Sequence, residues 1–292
     1  MTASSTLTLA DGRDLGFDDV GDPEGAAVIF VHGTPDSRRS RHPDDDRARA
    51  LGVRLVAVDR PGIGLSSPHR GFTVGSFADD VAALADWLGF ERWATLGWSA
   101  GVPFAVAMAA RHPARVARVA AVAGLVPFAA YTTPGILDDA DGGRHLVAEL
   151  GAELGAVATA EMAAPMLAPW PCDLDLARQH VTEGADDKRR ADLGAVTGAV
   201  DAMAWGVVDA VAQGLDGLIR EVELQVEAPD VDWSMVQCPV DLWYGGRDQT
   251  SPPAFGRWWN EALSTSDLIV DPDAGHLIAL THWDQILARV LT

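Results

Sequence analysis

Short apolar runs alternate with helix-period segments along the first part of the chain. Ala26 to Val31, Arg54 to Val58, Trp93 to Leu96 and Val116 to Val122 read as buried strands. Leu7-Thr8-Leu9 and Leu15-Gly16-Phe17 flank Asp11-Gly12 and predict an opening hairpin. A helix from about Ser76 to Leu88 would place Phe77, Val81, Leu84, Ala85 and Leu88 on one face, with Ser76 as its N-cap. A second helix spans Val102 to Arg111 and stops near His112-Pro113. From 127 to 232 the alternation ceases. That stretch reads as helical, for example at Leu146 to Leu150 and Ala195 to Val211, with breaks at Pro134, Pro165, Pro169 and Pro171. Strand patterns resume at Val240 to Tyr244 and Asp267 to Val270. The alternation predicts an α/β fold with a mostly parallel sheet and helices on both faces, formed by 1–126 and 233–292.

The richest segment is Leu96-Gly97-Trp98-Ser99-Ala100-Gly101, a G-x-S-x-G between a strand and a helix. That context suits a nucleophile elbow, a sharp turn holding Ser99 in a strained backbone conformation. Gly97 and Gly101 would remove the Cβ atoms that collide as strand and helix pass closely. The bland reading of the same residues is a βα turn whose serine caps the helix.

A serine needs a base and a group that orients the base. In chain order, Asp248 follows the strand at Val240 to Tyr244, and His276 follows the strand at Asp267 to Val270. His276 would take the Ser99 proton, and Asp248 would fix the imidazole tautomer. Asp59, after an earlier strand, is the other candidate acid; Asp271 and Asp273 lie too near His276 in sequence. His42, His69, His145 and His180 fall in polar or helical-surface surroundings, His112 at a helix end, and His282 near the start of the final helix. For the oxyanion the expected donors are the N–H groups of Ala100 and Thr34, the latter from His32-Gly33-Thr34-Pro35 after an apolar strand. His32 reads as a loop-shaping residue rather than a base.

Taken together, these segments resemble the α/β-hydrolase superfamily over most of the chain. They are most similar to the branch with an H-G-x-P loop, to which Asp59-Arg60-Pro61-Gly62-Ile63-Gly64-Leu65-Ser66 adds a second family-like turn. Epoxide hydrolases and haloalkane dehalogenases of that branch attack with aspartate, and Ser99 stands in that position here. The resemblance therefore implies an acyl-serine mechanism on an ester, thioester, lactone or amide. It also implies that 127–232 is an inserted helical cap over Ser99, where Met162, Met166, Leu167, Trp170, Met203 and Trp205 would serve as pocket lining or as cap core. Amidase or aminopeptidase-like chemistry, perhydrolysis and C–C bond hydrolysis use the same triad. A ligand-binding receptor with a vestigial triad is an alternative of a different class.

Composition narrows the partners. The 292 residues carry 42 Asp and Glu against 22 Lys and Arg, a formal charge of −20, with 48% hydrophobic residues. That balance disfavours nucleic acid and anionic membranes and would repel polyanions at long range, though solubility alone accounts for it; the substrate expected is a small, apolar and largely uncharged molecule. Gly62-Ile63-Gly64-Leu65-Ser66-Ser67 fails as a dinucleotide fingerprint, because Ser67 replaces the third glycine and Pro68 follows. No cofactor and no metal are expected, since no Cys/His cluster has ligand spacing. Cys172 and Cys238 are too few for a disulfide framework, and Cys238 reads as a core residue. Met1 to Ser5 lacks the features of a signal peptide, and no apolar run spans a bilayer, so a cytoplasmic location is expected. Oligomeric state is not encoded legibly.

Overall fold

The computed structural model describes residues 4–167 and 170–292. Its sheet holds eight strands: β1 (Ser5–Thr8), β2 (Asp14–Gly21), β3 (Ala26–Val31), β4 (Val53–Val58), β5 (Trp93–Trp98), β6 (Val116–Val122), β7 (Val240–Gly245) and β8 (Ser266–Asp271). Their spatial order is β1-β2-β4-β3-β5-β6-β7-β8. β1 and β2 pair antiparallel, β2 meets β4 antiparallel, and every later pair is parallel.

The predicted hairpin is present, and the β3 and β6 limits coincide with the predicted ones. Period-two alternation explains how both faces acquire a core. In β3, Ile29 and Val31 join one buried cluster, while Val28 and Phe30 join the other. The first cluster takes Phe77, Val81, Leu84 and Ala85 from α2 (Val74–Trp87), Phe104 and Val106 from α3 (Val102–Arg111), and Phe255 and Trp259 from a later helix. The second takes Ala48 from α1 (Asp45–Ala50) and Ile286, Leu287 and Val290 from the last one.

Between β6 and β7 lie α4 (Gly142–Leu167), α5 (Leu174–Glu183), α6 (Asp187–Ala195), α7 (Ala199–Val211) and α8 (Asp216–Val226). After β7 come α9 (Pro253–Ala262), α10 (Ile278–Thr281) and α11 (Trp283–Val290). Ion pairs tie the helical segment to the sheet: Asp209 of α7 meets Arg38 at 2.9 Å, and Glu221 of α8 meets Arg60 at 2.6 Å. Among the described residues no single helix is long and apolar enough to cross a membrane.

Three local expectations need correction. The N-cap of α2 is Thr73, not Ser76; Thr73 Oγ1 accepts from Ser76 N at 3.0 Å, and Thr73 N donates to Ser76 Oγ at 2.8 Å. Ser76 is thus the reciprocal member of a capping box. The expected helix over Ala195 to Val211 begins only at Ala199: Ala195 is the last residue of α6, and α7 leaves it at 109° after a break where Gly198 has φ +84°. Pro165 does not interrupt α4, which is broken instead at Gly155, whose φ of 76° and ψ of 178° are not helical. A proline in the last turn loses a single hydrogen bond. The proposed break at Pro169 and the reading of Met1 to Ala3 fall outside the described residues.

Candidate active site

β5 runs directly into the turn that holds Ser99. Ser99 has φ +55°, the left-handed region that a non-glycine residue adopts only under constraint. The constraint is crowding. A Cβ on Gly97 would stand 2.7 Å from Gly101 O and 2.8 Å from Ala105 Cβ, and one on Gly101 would stand 2.6 Å from His32 O. Any larger residue at either position would push α3 off the sheet and move the serine.

The carboxyl ends of β5, β7 and β8 bring three side chains together. His276 Nε2 lies 3.1 Å from Ser99 Oγ, and His276 Nδ1 lies 2.8 Å from Asp248 Oδ2. The other carboxylate oxygen of Asp248 accepts the backbone N–H groups of Thr250 at 2.9 Å and Ser251 at 3.0 Å. Asp248 is therefore buried with both oxygens occupied. Trp98 Nε1–H donates to His276 O at 3.1 Å, and its ring lies 5.6 Å from the imidazole, which anchors the His276 loop to the end of β5.

Asp59, the alternative acid, is committed elsewhere. It accepts from Arg38 N at 2.8 Å, Arg38 Nη1 at 2.7 Å and Leu65 N at 3.0 Å.

The loop after β3 is held by a buried cation. Arg60 donates through Nη2 to Gly33 O at 2.7 Å and Thr34 Oγ1 at 3.0 Å, through Nη1 to His32 O, and through Nε to Glu221 Oε1 at 2.6 Å. Thr34 Oγ1–H donates in turn to Glu221. His32 is fully buried, with Nδ1 against Gly33 O at 2.7 Å and Nε2 accepting from Arg60 N at 3.4 Å. Burial and the neighbouring Arg60 hold its pKa well below the ordinary range, so it stays neutral and shapes the loop. The Thr34–Pro35 bond is cis. Thr34 and Ala100 line the cavity beside Ser99, and the backbone N–H of neither has an acceptor among the described residues.

Because Arg60 satisfies Glu221 and two carbonyls at once, removing it strands a buried carboxylate. Arg60→Met is expected to lower stability by about 3–5 kcal/mol. Adding Glu221→Leu should recover more than half of that, read as urea unfolding midpoints of the single and double variants. A single variant as stable as wild type would remove Arg60 from its anchoring role.

The cavity over Ser99 measures about 250 Å³ and is lined from both the sheet ends and the helical segment. Trp170 and Met203 border it, as does His180, whose sequence surroundings read as polar or helical surface. Met162 is largely exposed, and Trp205 lies at the surface beneath Arg39, 4.8 Å from its guanidinium carbon. The side chains of Met166 and Leu167 fall outside the described residues. Asp36, Arg144 and Arg189 also border the cavity, and pattern reading missed all three.

Burial pushes the Asp36 carboxyl up to about 6 from an ordinary 3.8, against the opposing pull of the Ser40 hydroxyl and of Arg189, Arg60 and His276. A carboxyl raised by folding binds its proton more tightly in the native state, so it weakens stability as pH rises from about 4 through about 6. The loss is complete above that window. Asp36→Asn should therefore raise Tm at pH 8 and leave it nearly unchanged at pH 4. A gain that persists unchanged at pH 4 would assign the effect to something other than this proton.

Residues 26–282 match the family model described as the alpha/beta hydrolase fold. The chain belongs to that family. Over 114 residues this α/β hydrolase is 33% identical to a proline iminopeptidase of Xylella fastidiosa, covering 37% of this chain and 35% of the relative. Over 111 residues it is 33% identical to epoxide hydrolase B of Mycobacterium tuberculosis, covering 37% and 31%. The matched stretches thus span about a third of those relatives' lengths. The solved structure of an esterase from Exiguobacterium antarcticum superposes with a TM-score of 0.67 at 17% identity, covering 99% of this chain and 98% of that one.

Three other histidines of the α/β hydrolase have partners outside the triad. His42 stacks on Trp283 at 5.9 Å, His112 Nε2 lies 3.2 Å from Asp79, and His282 Nε2 lies 2.8 Å from Asp271. Cys238 is buried and Cys172 exposed. Among the described residues no group of three His, Cys, Asp or Glu side chains is arranged to hold a metal ion.

Proposed function

We propose that this α/β hydrolase is a serine hydrolase of carboxylic esters or lactones, with Ser99, His276 and Asp248 as its triad and α4 to α8 as a cap. The observation that carries the reading is the unbroken line from Ser99 Oγ through His276 to a carboxylate already oriented by two backbone N–H groups. His276 Nε2 takes the Ser99 proton as Oγ attacks the carbonyl carbon. The oxyanion that forms is met by the N–H groups of Thr34 and Ala100, which have no other acceptor. Collapse expels the alcohol, which takes the proton from His276 and leaves an acyl-serine. Water, deprotonated by His276, then attacks the acyl carbon, and Ser99 leaves with the proton restored.

The H-G-x-P loop supports the same assignment. Its second oxyanion donor needs a fixed backbone, and Arg60 supplies that rigidity from beneath. The test is product release from 4-nitrophenyl butyrate under multiple turnover. Sustained release beyond one equivalent per chain, lost in Ser99→Ala, is the expected result. Release that stops at one equivalent would instead favour a ligand-binding role with a residual triad.

A further inference from the structure

Two cations in the cavity have no part in the serine chemistry. Arg144 comes from α4 and Arg189 from α6, and both border the same space as Ser99. The Nε–H of each is buried without an acceptor. Arg144 Nη1 donates to Gln225 Oε1 at 3.1 Å. Among the described residues the Arg189 guanidinium has no hydrogen bond and no ion pair.

In this chain such isolation is unusual. Acidic residues outnumber basic ones, 42 to 22. Among the described residues, every basic side chain except Arg92, Arg144, Arg189 and Arg257 has a carboxylate oxygen within 4.0 Å. Arg92 and Arg257 are exposed to solvent. The two that are partly buried and unpaired face the same cavity. A guanidinium N–H left buried without an acceptor is costly, and a bound anion removes that cost.

We propose, building on the serine-hydrolase reading, that Arg144 and Arg189 hold a carboxylate of the substrate, which is therefore an ester or lactone of a dicarboxylic or otherwise carboxylate-bearing acid. The cavity's own acid does not fill this place. Asp36 is turned to Ser40, whose Oγ–H it accepts at 2.6 Å, and is not ion-paired with either arginine. A second, apolar space of about 40 Å³ shares Thr34, Ala100 and Gln225 with the first and is walled by Phe104, Val126 and Leu224. It would take a small apolar group on the other side of the scissile bond. A carboxylate-bearing substrate departs from the expectation of a small, apolar and uncharged one, and the −20 charge of the whole chain does not oppose it. That charge governs long-range approach, which salt screens, whereas selectivity at Ser99 is set by charges within a few ångströms.

The experiment measures kcat/KM for mono-4-nitrophenyl glutarate and for 4-nitrophenyl pentanoate, which has the same acyl length without the second carboxylate. Wild type should prefer the anionic ester about tenfold or more, and Arg144→Gln and Arg189→Gln should each bring that ratio down about tenfold, mainly through KM. Arg189→Lys, which keeps the charge, should retain most of the preference, separating recognition from a folding defect. In parallel, calorimetry should show glutarate binding to Ser99→Ala and not to that variant carrying both glutamine substitutions. A wild-type ratio near one that the arginine changes do not move would overturn the carboxylate site and leave the serine-hydrolase reading intact. Arginine-dependent glutarate binding without turnover of either ester would do the reverse. Absence of both the preference and the binding would overturn the proposal.

Discussion

Ser99→Ala should abolish ester hydrolysis while the chain folds as before. Removing the proposed nucleophile is expected to lower kcat roughly ten-thousandfold or more, because base, acid and oxyanion donors act only through the covalent step. Intact mass after incubation with a fluorophosphonate should show one adduct on wild type and none on the variant. The fold argument is independent. Alanine at φ +55° bears a backbone strain similar to that of serine, and among the described residues the hydroxyl's one side-chain partner is the imidazole, which keeps its bond to Asp248. Tm should thus move by only a few degrees. Retained hydrolysis would put the nucleophile elsewhere; lost activity with an unfolded chain would show that Ser99 Oγ is structural.

The central sheet was legible for a simple physical reason. Parallel strands covered on both faces are written as unbroken apolar runs ended by turn residues, and β3 and β6 are read to the residue. The elbow was legible because its two glycines answer a steric demand, one that the distances at Gly97 and Gly101 express. The positions of Asp248 and His276 followed from strand ends and chain order.

The helical segment was less legible. Amphipathic periodicity reports a buried face but not which partner it faces, nor a bend such as the one at Gly198. Arg60 and Glu221 lie 161 positions apart, and only the docking of α8 onto the β3 loop brings them together. Arg144 and Arg189 look like ordinary solvated helix positions in the sequence, and their lack of a carboxylate becomes visible only once the other cations that are not fully exposed have been paired. Global composition is silent on them, because a sum of charges holds no information on where two of them stand.

Asp248→Asn carries the second large effect, and its direction follows from hydrogen-bond orientation. Thr250 N–H and Ser251 N–H both point at Asp248 Oδ1. In the variant these two donors require the amide oxygen at that position, which turns the amide NH₂ toward His276. The amide then donates where the carboxylate accepted, so Nδ1 must accept and the imidazole proton moves to Nε2. An Nε2–H pointed at Ser99 Oγ, 3.1 Å away in wild type, cannot take the hydroxyl proton. The expected loss is about ten-thousandfold in kcat, with fluorophosphonate acylation slowed in parallel. Nitrogen NMR of the labelled imidazole should show the proton on Nδ1 in wild type and on Nε2 in the variant. A rate within tenfold of wild type would move the orienting role away from Asp248. A large loss with the proton still on Nδ1 would keep the residue but replace the tautomer explanation with loss of the charge that stabilises the imidazolium.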